Sequence, residues 1–336
     1  MGTIPELDRV WVTVDNKLFL WKYTTSNTTG PASPELHQDG EISSDDCEVY
    51  DGISEVIVSV ALSAPKPGVF LDAVKYVLVV ASPVEVVLLA VTCDEQGSNF
   101  KLVPTAYTMP SDNVAMVKVV GSQVGRIFMA GNDGNVYELD YTNSESVWSA
   151  LLDGGDENAR HKCRKINHFA WNWRLVHLLP PFLKSFAAEE DSLVDLAVDN
   201  VRQVVYSVTA KGVLSAFYLG PAGAETHLFL SAFNILDAAR NFLTSSNGSV
   251  AEGSPKPESF SNTASAGFNV LSLHVLPLTE SKKAHVVAVL GNGIRICLSV
   301  VAGSAVFNNL PGPQQQSGSY TMPTGIFVGC VRSPPS

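Results

Sequence analysis

The chain has 336 residues, 46% of them hydrophobic and 16% charged, with a net charge of −11. That apolar content and length exclude a disordered chain and allow a large buried core, while the acidic balance, with no long run of Lys or Arg, excludes a nucleic-acid groove. The five cysteines (Cys47, Cys93, Cys163, Cys297, Cys330) stand far apart with no CxxC pair, so neither a zinc site nor a disulfide framework is indicated and a reducing compartment fits.

The N-terminus, MGTIPELDRVW, has no apolar signal core, so the sequons at Asn27 and Asn247 read as chance matches in polar loops. RVWVTVDNKLFLWKY (9–23) then predicts a hairpin turning at Asp15-Asn16, without a first strand of its own. The next stretch, 24–46, is rich in Gly, Ser and Pro and reads as a long disordered loop insertion. SEVIVSVAL (54–62) reads as a strand. YVLVVASPVEVVLLAV (76–91) imitates a membrane span, but Pro83 and Glu85 would sit near mid-membrane. Ser82-Pro83 between two β-branched runs predicts two buried strands instead. KLVPTAYTM (101–109) reads as a looser, polar outer strand, and VAMVKVV (114–120) as a new first strand.

GRIFMAGNDGNVYELDY (125–141) is a third hairpin, with Asn132-Asp133-Gly134 as its turn rather than a calcium loop, which would need more oxygen ligands at alternating positions. After the basic cluster RHKCRK (160–165), the segment 168–192 has a helical stripe of Trp171, Leu175, Leu178, Leu179, Phe182, Leu183 and Phe186, with Trp173 off its main line. Pro180 and Pro181 would kink such a helix. From the residues alone it fits either a core helix packed on its neighbours or an interfacial membrane helix.

SLVDLAV (192–198) and RQVVYSVTAKGVLSAFYLG (202–220) repeat the strand and hairpin. LSAFNILDAARNFL (230–243) has helical spacing and predicts a helix, followed by a second disordered loop insertion over 244–267. VLSLHVL (270–276) and AHVVAVLGNGIRICLSV (284–300) close the series. His274 and His285, in those last strands, read as hydrogen-bonded core histidines.

The unit is thus strand, two-stranded hairpin, outer strand, repeating every 58 to 79 residues or so, with the middle strands the most apolar. This predicts an all-β fold, a β-propeller of four-stranded antiparallel blades, about four to five of them, over 5–336. A β-sandwich is the second architecture, but its units would not repeat. Motifs for acyl transfer, metal hydrolysis or phosphate binding are missing, and the histidines are scattered singly. No catalytic residue, cofactor or metal is predicted.

YDGISEVIVSVAL, PKPGVF, ASPVEVVLLAV, MPSDN, GRIFMAGNDGNVYELDY, KCRKINH and LAVDNVRQVVYSVTAKGVLSAFYLG resemble, in order, the N-terminal propeller of the large inner-ring scaffold nucleoporin family. The resemblance covers about residues 5–300. It implies a seven-bladed propeller followed by an α-solenoid, of which this chain would hold a partial propeller and no solenoid, as a fragment or truncated product. It implies a structural, non-enzymatic role in the nuclear pore complex at the nuclear envelope, supporting nucleocytoplasmic transport. Implied partners are other inner-ring nucleoporins, linker and membrane-anchor nucleoporins among them, and the pore membrane, with no nucleic acid or small-molecule substrate. The segment 168–192 is similar in position to a membrane-binding loop of the family. Trp171, Trp173, Leu175, Leu178, Leu179, Phe182, Leu183 and Phe186 are then the expected membrane contacts. The alternative class is a propeller ligand binder or enzyme with an unrecognised site in the central channel.

Overall fold

The computed structural model of the chain describes residues 1–23, 47–94, 100–142, 163–167, 191–220, 228–247, 268–301 and 325–332. They form five four-stranded antiparallel sheets, each meandering in chain order. The first holds Gly2–Ile4 (β1), Arg9–Val14 (β2), Lys17–Lys22 (β3) and Cys47–Tyr50 (β4); the second Ser59–Ser63 (β5), Val74–Ala81 (β6), Glu85–Thr92 (β7) and Lys101–Pro110 (β8). The third holds Met116–Gly121 (β9), Ile127–Gly131 (β10), Val136–Tyr141 (β11) and Cys163–Asn167 (β12); the fourth Leu193–Asp199 (β13), Val204–Thr209 (β14), Val213–Tyr218 (β15) and Leu228–Asn234 (β16). The fifth holds Val270–Val275 (β17), Val286–Leu290 (β18), Arg295–Val301 (β19) and Gly325–Arg332 (β20).

The chain divides into two compact units. One comprises Met1–Gly121, Gly125–Ile127 and Leu139–Lys165; the other comprises Ser122–Val124, Phe128–Glu138 and Ile166–Ser336. The residues of the third sheet are shared between them.

In the first unit the first sheet packs on the second through Ile4, Leu18, Leu20 and Tyr50 against Val60, Leu78, Val80 and Leu89. The apolar stretch 76–91 is the predicted hairpin. Val77 to Ala81, Val86 and Leu88 are fully buried, and residues of both alternating sets are covered, as a middle strand requires. Its turn is held by Ser82, whose Oγ accepts the Val84 and Glu85 N–H groups at 3.3 and 3.1 Å. The outer strand β8 is mostly exposed or half-exposed, as its polar sequence predicts. In the second unit the fourth and fifth sheets share a core of Val204, Tyr206, Val208, Leu214 and Ala216 with Val286, Ala288, Leu290, Ile296 and Leu298.

Equivalent first strands are stapled by side chains. In the first unit the Ser59 Oγ on β5 accepts the Val119 N–H of β9 at 3.0 Å. In the second, the Asp195 carboxylate on β13 accepts the Leu273 N–H of β17 at 2.7 Å.

Three expectations are corrected. The hairpin 9–23 does have a first strand: Gly2–Ile4 pairs with Arg9–Trp11, folded back by the turn Pro5–Leu7 and by Asp8 at φ 51°. Three residues are too few to register as a strand in sequence, and the sheet begins at Gly2 rather than residue 5. The helix expected over 230–243 begins later. Leu228–Asn234 is β16, paired with β15 from Val213 to Tyr218, and the helix α1 spans Ile235–Asn247. Sheet pairing overrides the helical spacing of Leu230 and Phe233, and the Asn234 side chain caps the helix by accepting the Asp237 N–H at 3.1 Å. The same helix takes in the first residues of the loop expected over 244–267. His285 is half-buried, its Nδ1 accepting the Val300 N–H at 3.1 Å as expected, but His274 is exposed and contacts Ser272 Oγ at 2.9 Å. It lies on the sheet face opposite the core residue Leu273.

Candidate functional site

The polar groups singled out in sequence belong to the framework. Asp133 closes its own turn: Oδ1 accepts the Asn135 N–H at 3.2 Å, and Oδ2 accepts the Asn135 side-chain amide at 2.8 Å and the Tyr137 hydroxyl at 2.6 Å. Burial first, then this bond to Asp133, raises the Tyr137 phenol above its usual range. Gly134 follows at φ +83°, where a Cβ would lie 2.8 Å from the Asp191 carbonyl oxygen. The same side-chain-to-backbone closure recurs at Asn292, whose Oδ1 accepts the Ile294 N–H at 3.1 Å.

The charged side chains at and near the core are committed as well. Asp140 accepts Lys66 Nζ at 3.2 Å and Arg164 Nε at 2.7 Å. The Tyr141 hydroxyl donates to the Gly125 carbonyl at 2.7 Å and accepts the Lys66 N–H at 3.1 Å. Burial, reinforced by Asp140, pushes the Cys163 thiol up to about 12 and keeps it protonated. Asp199, 2% exposed, holds Arg202 at 2.6 Å, and Arg202 donates onward to the Leu276 and Ser281 carbonyls at 3.1 Å each. Among the described residues no cluster of His, Cys, Asp or Glu could hold a metal ion. No described helix is long and apolar enough to cross a membrane.

What the described residues do offer is surface. In the second unit an open groove of about 640 Å³ runs between the end of β16 and α1 on one side and β20 on the other. Phe233, Ala238, Val328 and Val331 supply apolar walls, and Asn234, Asp237 and Asn241 a polar margin. In the first unit, Val10, Val12, Phe19, Trp21 and Val49 share the sheet face opposite Leu18 and Leu20 by their register, and Val49 is 49% exposed. Such apolar surfaces with polar edges suit docking rather than bond-making chemistry. Sequence reasoning missed the groove because its walls lie on elements far apart in the chain.

The eight expected membrane contacts, Trp171, Trp173, Leu175, Leu178, Leu179, Phe182, Leu183 and Phe186, lie outside the described residues, as do 24–46 and 248–267. Their segment connects β12, ending at Asn167, to β13, so it joins the third sheet to the fourth. Part of the basic cluster beside it is drawn into the framework. Arg164 is paired with Asp140, and Lys165 Nζ donates to the Ser111 carbonyl at 2.8 Å.

The chain matches a nucleoporin N-terminal family described as Nup133 N terminal like, over residues 1–335. It is 30% identical over 355 residues to nuclear pore complex protein Nup154 of Drosophila melanogaster, covering 100% of this chain and 22% of that protein. It is 27% identical over 346 residues to nucleoporin NUP170 of Chaetomium thermophilum, covering 100% of this chain and 20% of that protein. Among solved structures it superposes on the N-terminal domain of Chaetomium thermophilum Nup170, crystallised in complex with Nup53, with a TM-score of 0.63 and 25% identity. That match covers 99% of this chain and 39% of the other. The chain thus spans about a fifth of the length of these curated relatives.

Proposed function

The chain belongs to the Nup133 N-terminal-like family of nucleoporins, and from that premise we propose that it is a β-propeller scaffold module of the nuclear pore complex inner ring, without catalytic activity. The observation that carries this reading is the commitment of its buried and half-buried charges. Asp133, Asp140, Asp195, Asp199 and Arg202 all hold turns, strands or neighbouring sheets together. A fold that uses its ionisable groups in this way is built to keep its shape. The relative solved with Nup53 supports a linker nucleoporin as one partner of this chain, with other inner-ring nucleoporins beside it. The segment 168–192, with its stripe from Trp171 to Phe186, supports a peripheral contact with the pore membrane. The chain supports nucleocytoplasmic transport by holding the channel's frame.

The test is localisation and assembly of the tagged protein in cells. Punctate labelling of the nuclear envelope, with co-isolation of inner-ring nucleoporins, is the expected result. A diffuse signal with no nucleoporin recovered overturns it.

A further inference from the structure

The fifth sheet places two of the five cysteines directly opposite one another. In the pairing of β19 with β20, Cys297 faces Cys330. Residues directly opposite in an antiparallel pair have Cα atoms about 4.5 or 5.5 Å apart, depending on the hydrogen-bonding phase. Both spacings fall inside the range of about 4.4–6.8 Å that a disulfide spans. The register slips at this point, with Cys297 opposite Cys330 and Leu298 opposite Val328, so Gly329 is the extra residue of a bulge beside the pair. A bulge gives the strand local freedom to adjust a bridge.

The surroundings favour reaction. Ile296, Leu298 and Val300 point into the core, which puts Cys297 on the other face of the sheet, where it and Cys330 are half-buried and open to small reagents. Arg295 and Arg332, paired with each other, are both exposed in the adjoining row. The Cys297 thiol is hydrogen-bonded to Cys330, and burial followed by that bond pushes it up to about 11, with Arg332 opposing. Among the described residues β20 pairs with β19 alone in its sheet, and it forms one wall of the groove against α1.

We propose that Cys297 and Cys330 form a dithiol modification site that closes reversibly to a cross-strand disulfide, clamping the edge strand β20 to β19. The oxidant is a low-molecular-weight disulfide. The Cys330 sulfur, on losing its proton, attacks the oxidant, forming a mixed disulfide and releasing one of its thiols. Cys297 then gives up its proton and attacks the Cys330 sulfur, expelling the second thiol. The protein loses two protons and two electrons, the oxidant gains them as its two thiols, and a reducing compartment reverses the exchange.

The experiment treats the folded full chain with oxidised glutathione and follows intact mass, peptide mapping and the urea midpoint. Wild type is expected to lose two hydrogens and map to a single Cys297–Cys330 bridge. Cys47, Cys93 and Cys163 should stay outside it, dithiothreitol should restore the starting mass, and the oxidised form should have the higher midpoint. Cys297→Ser is expected to stop at a glutathione adduct on Cys330, with the midpoint of reduced wild type. No mass change, a bridge to Cys47 or Cys93, a bridge between two chains, a stable glutathione adduct on the wild type, or a midpoint unchanged by oxidation overturns the proposal.

Discussion

The buried Asp195 carboxylate on β13 and the backbone N–H of Leu273 on β17 meet at 2.7 Å, joining the first strand of the fourth sheet to that of the fifth. The other Asp195 oxygen accepts the Leu196 N–H at 2.9 Å, next to a register shift between Leu193 and Asp195. Asp195→Ala strands a buried donor, which costs about 1–3 kcal/mol. Urea denaturation should show a loss of that size. Ser59→Ala, which removes the neutral staple to the Val119 N–H, should cost less. Equal midpoints for Asp195→Ala and wild type would remove the staple as a source of stability.

Gly212 has φ +82°, and a Cβ there would sit 2.4 Å from Leu236 Cγ in α1. Its carbonyl also accepts the Ile235 N–H at 2.8 Å, at the start of that helix. Gly212→Ala therefore combines left-handed backbone strain with displacement of a buried helix side chain, about 1–3 kcal/mol together. Thermal melts of the variant should shift downward. Gly68, at φ +77° with nothing near its missing Cβ, provides the comparison for backbone strain alone, and Gly68→Ala should shift less.

His285 gives a pH dependence. Burial first, then Arg202, lowers its pKa below the ordinary 6.5, with Asp199 opposing. The unfolded chain then binds a proton at a pH where the folded chain does not. The contribution is fully present above about 6.5 and is lost as pH falls from there through the lower folded value. Protonation also takes away the Nδ1 lone pair that accepts the Val300 N–H. Unfolding free energy measured in urea should decline over that acid window, and His285→Gln should flatten the His-dependent part of the decline. An undiminished slope in the variant assigns the effect to other groups.

For the segment 168–192, each large apolar side chain fully buried in lipid gains roughly 1.5–3 kcal/mol, offset by ordering of the backbone at about 1–2 kcal/mol per residue. One copy should bind loosely, and many copies would bind by avidity. Co-flotation with small liposomes should fall strongly for Phe182→Asp and less for Trp173→Glu, which lies off the stripe. A Phe182→Asp protein that floats like wild type but melts earlier identifies a core helix instead.

The hairpins were legible because their information is local. Turn residues such as Asp15, Gly134 and Gly293 carry the positive φ, and the apolar run before Asn132-Asp133-Gly134 is the fully buried strand β10. What was not legible depended on partners far along the chain. Gly2–Ile4 is a strand only because Arg9–Trp11 accepts it. Leu228–Asn234 is extended only because β15 offers it an edge. Arg164 and Lys165 looked like free basic charge until folding brought Asp140 and the Ser111 carbonyl beside them. The facing of Cys297 and Cys330 is a matter of register across a long connection, and spacing in sequence gives no hint of it.

The burial gradient within the second sheet has a mechanical meaning. In the second sheet, β6 and β7 are mostly buried while β8, packed beside β7, is mostly exposed or half-exposed. Amide exchange should be slowest at the heart of such a sheet and fastest at its last strand, whose hydrogen bonds open without uncovering the core. Load on the module would then be taken up first at the outer strands, as give in a sheet whose centre stays rigid. A frame that must flex with its surroundings can do so strand by strand without unfolding.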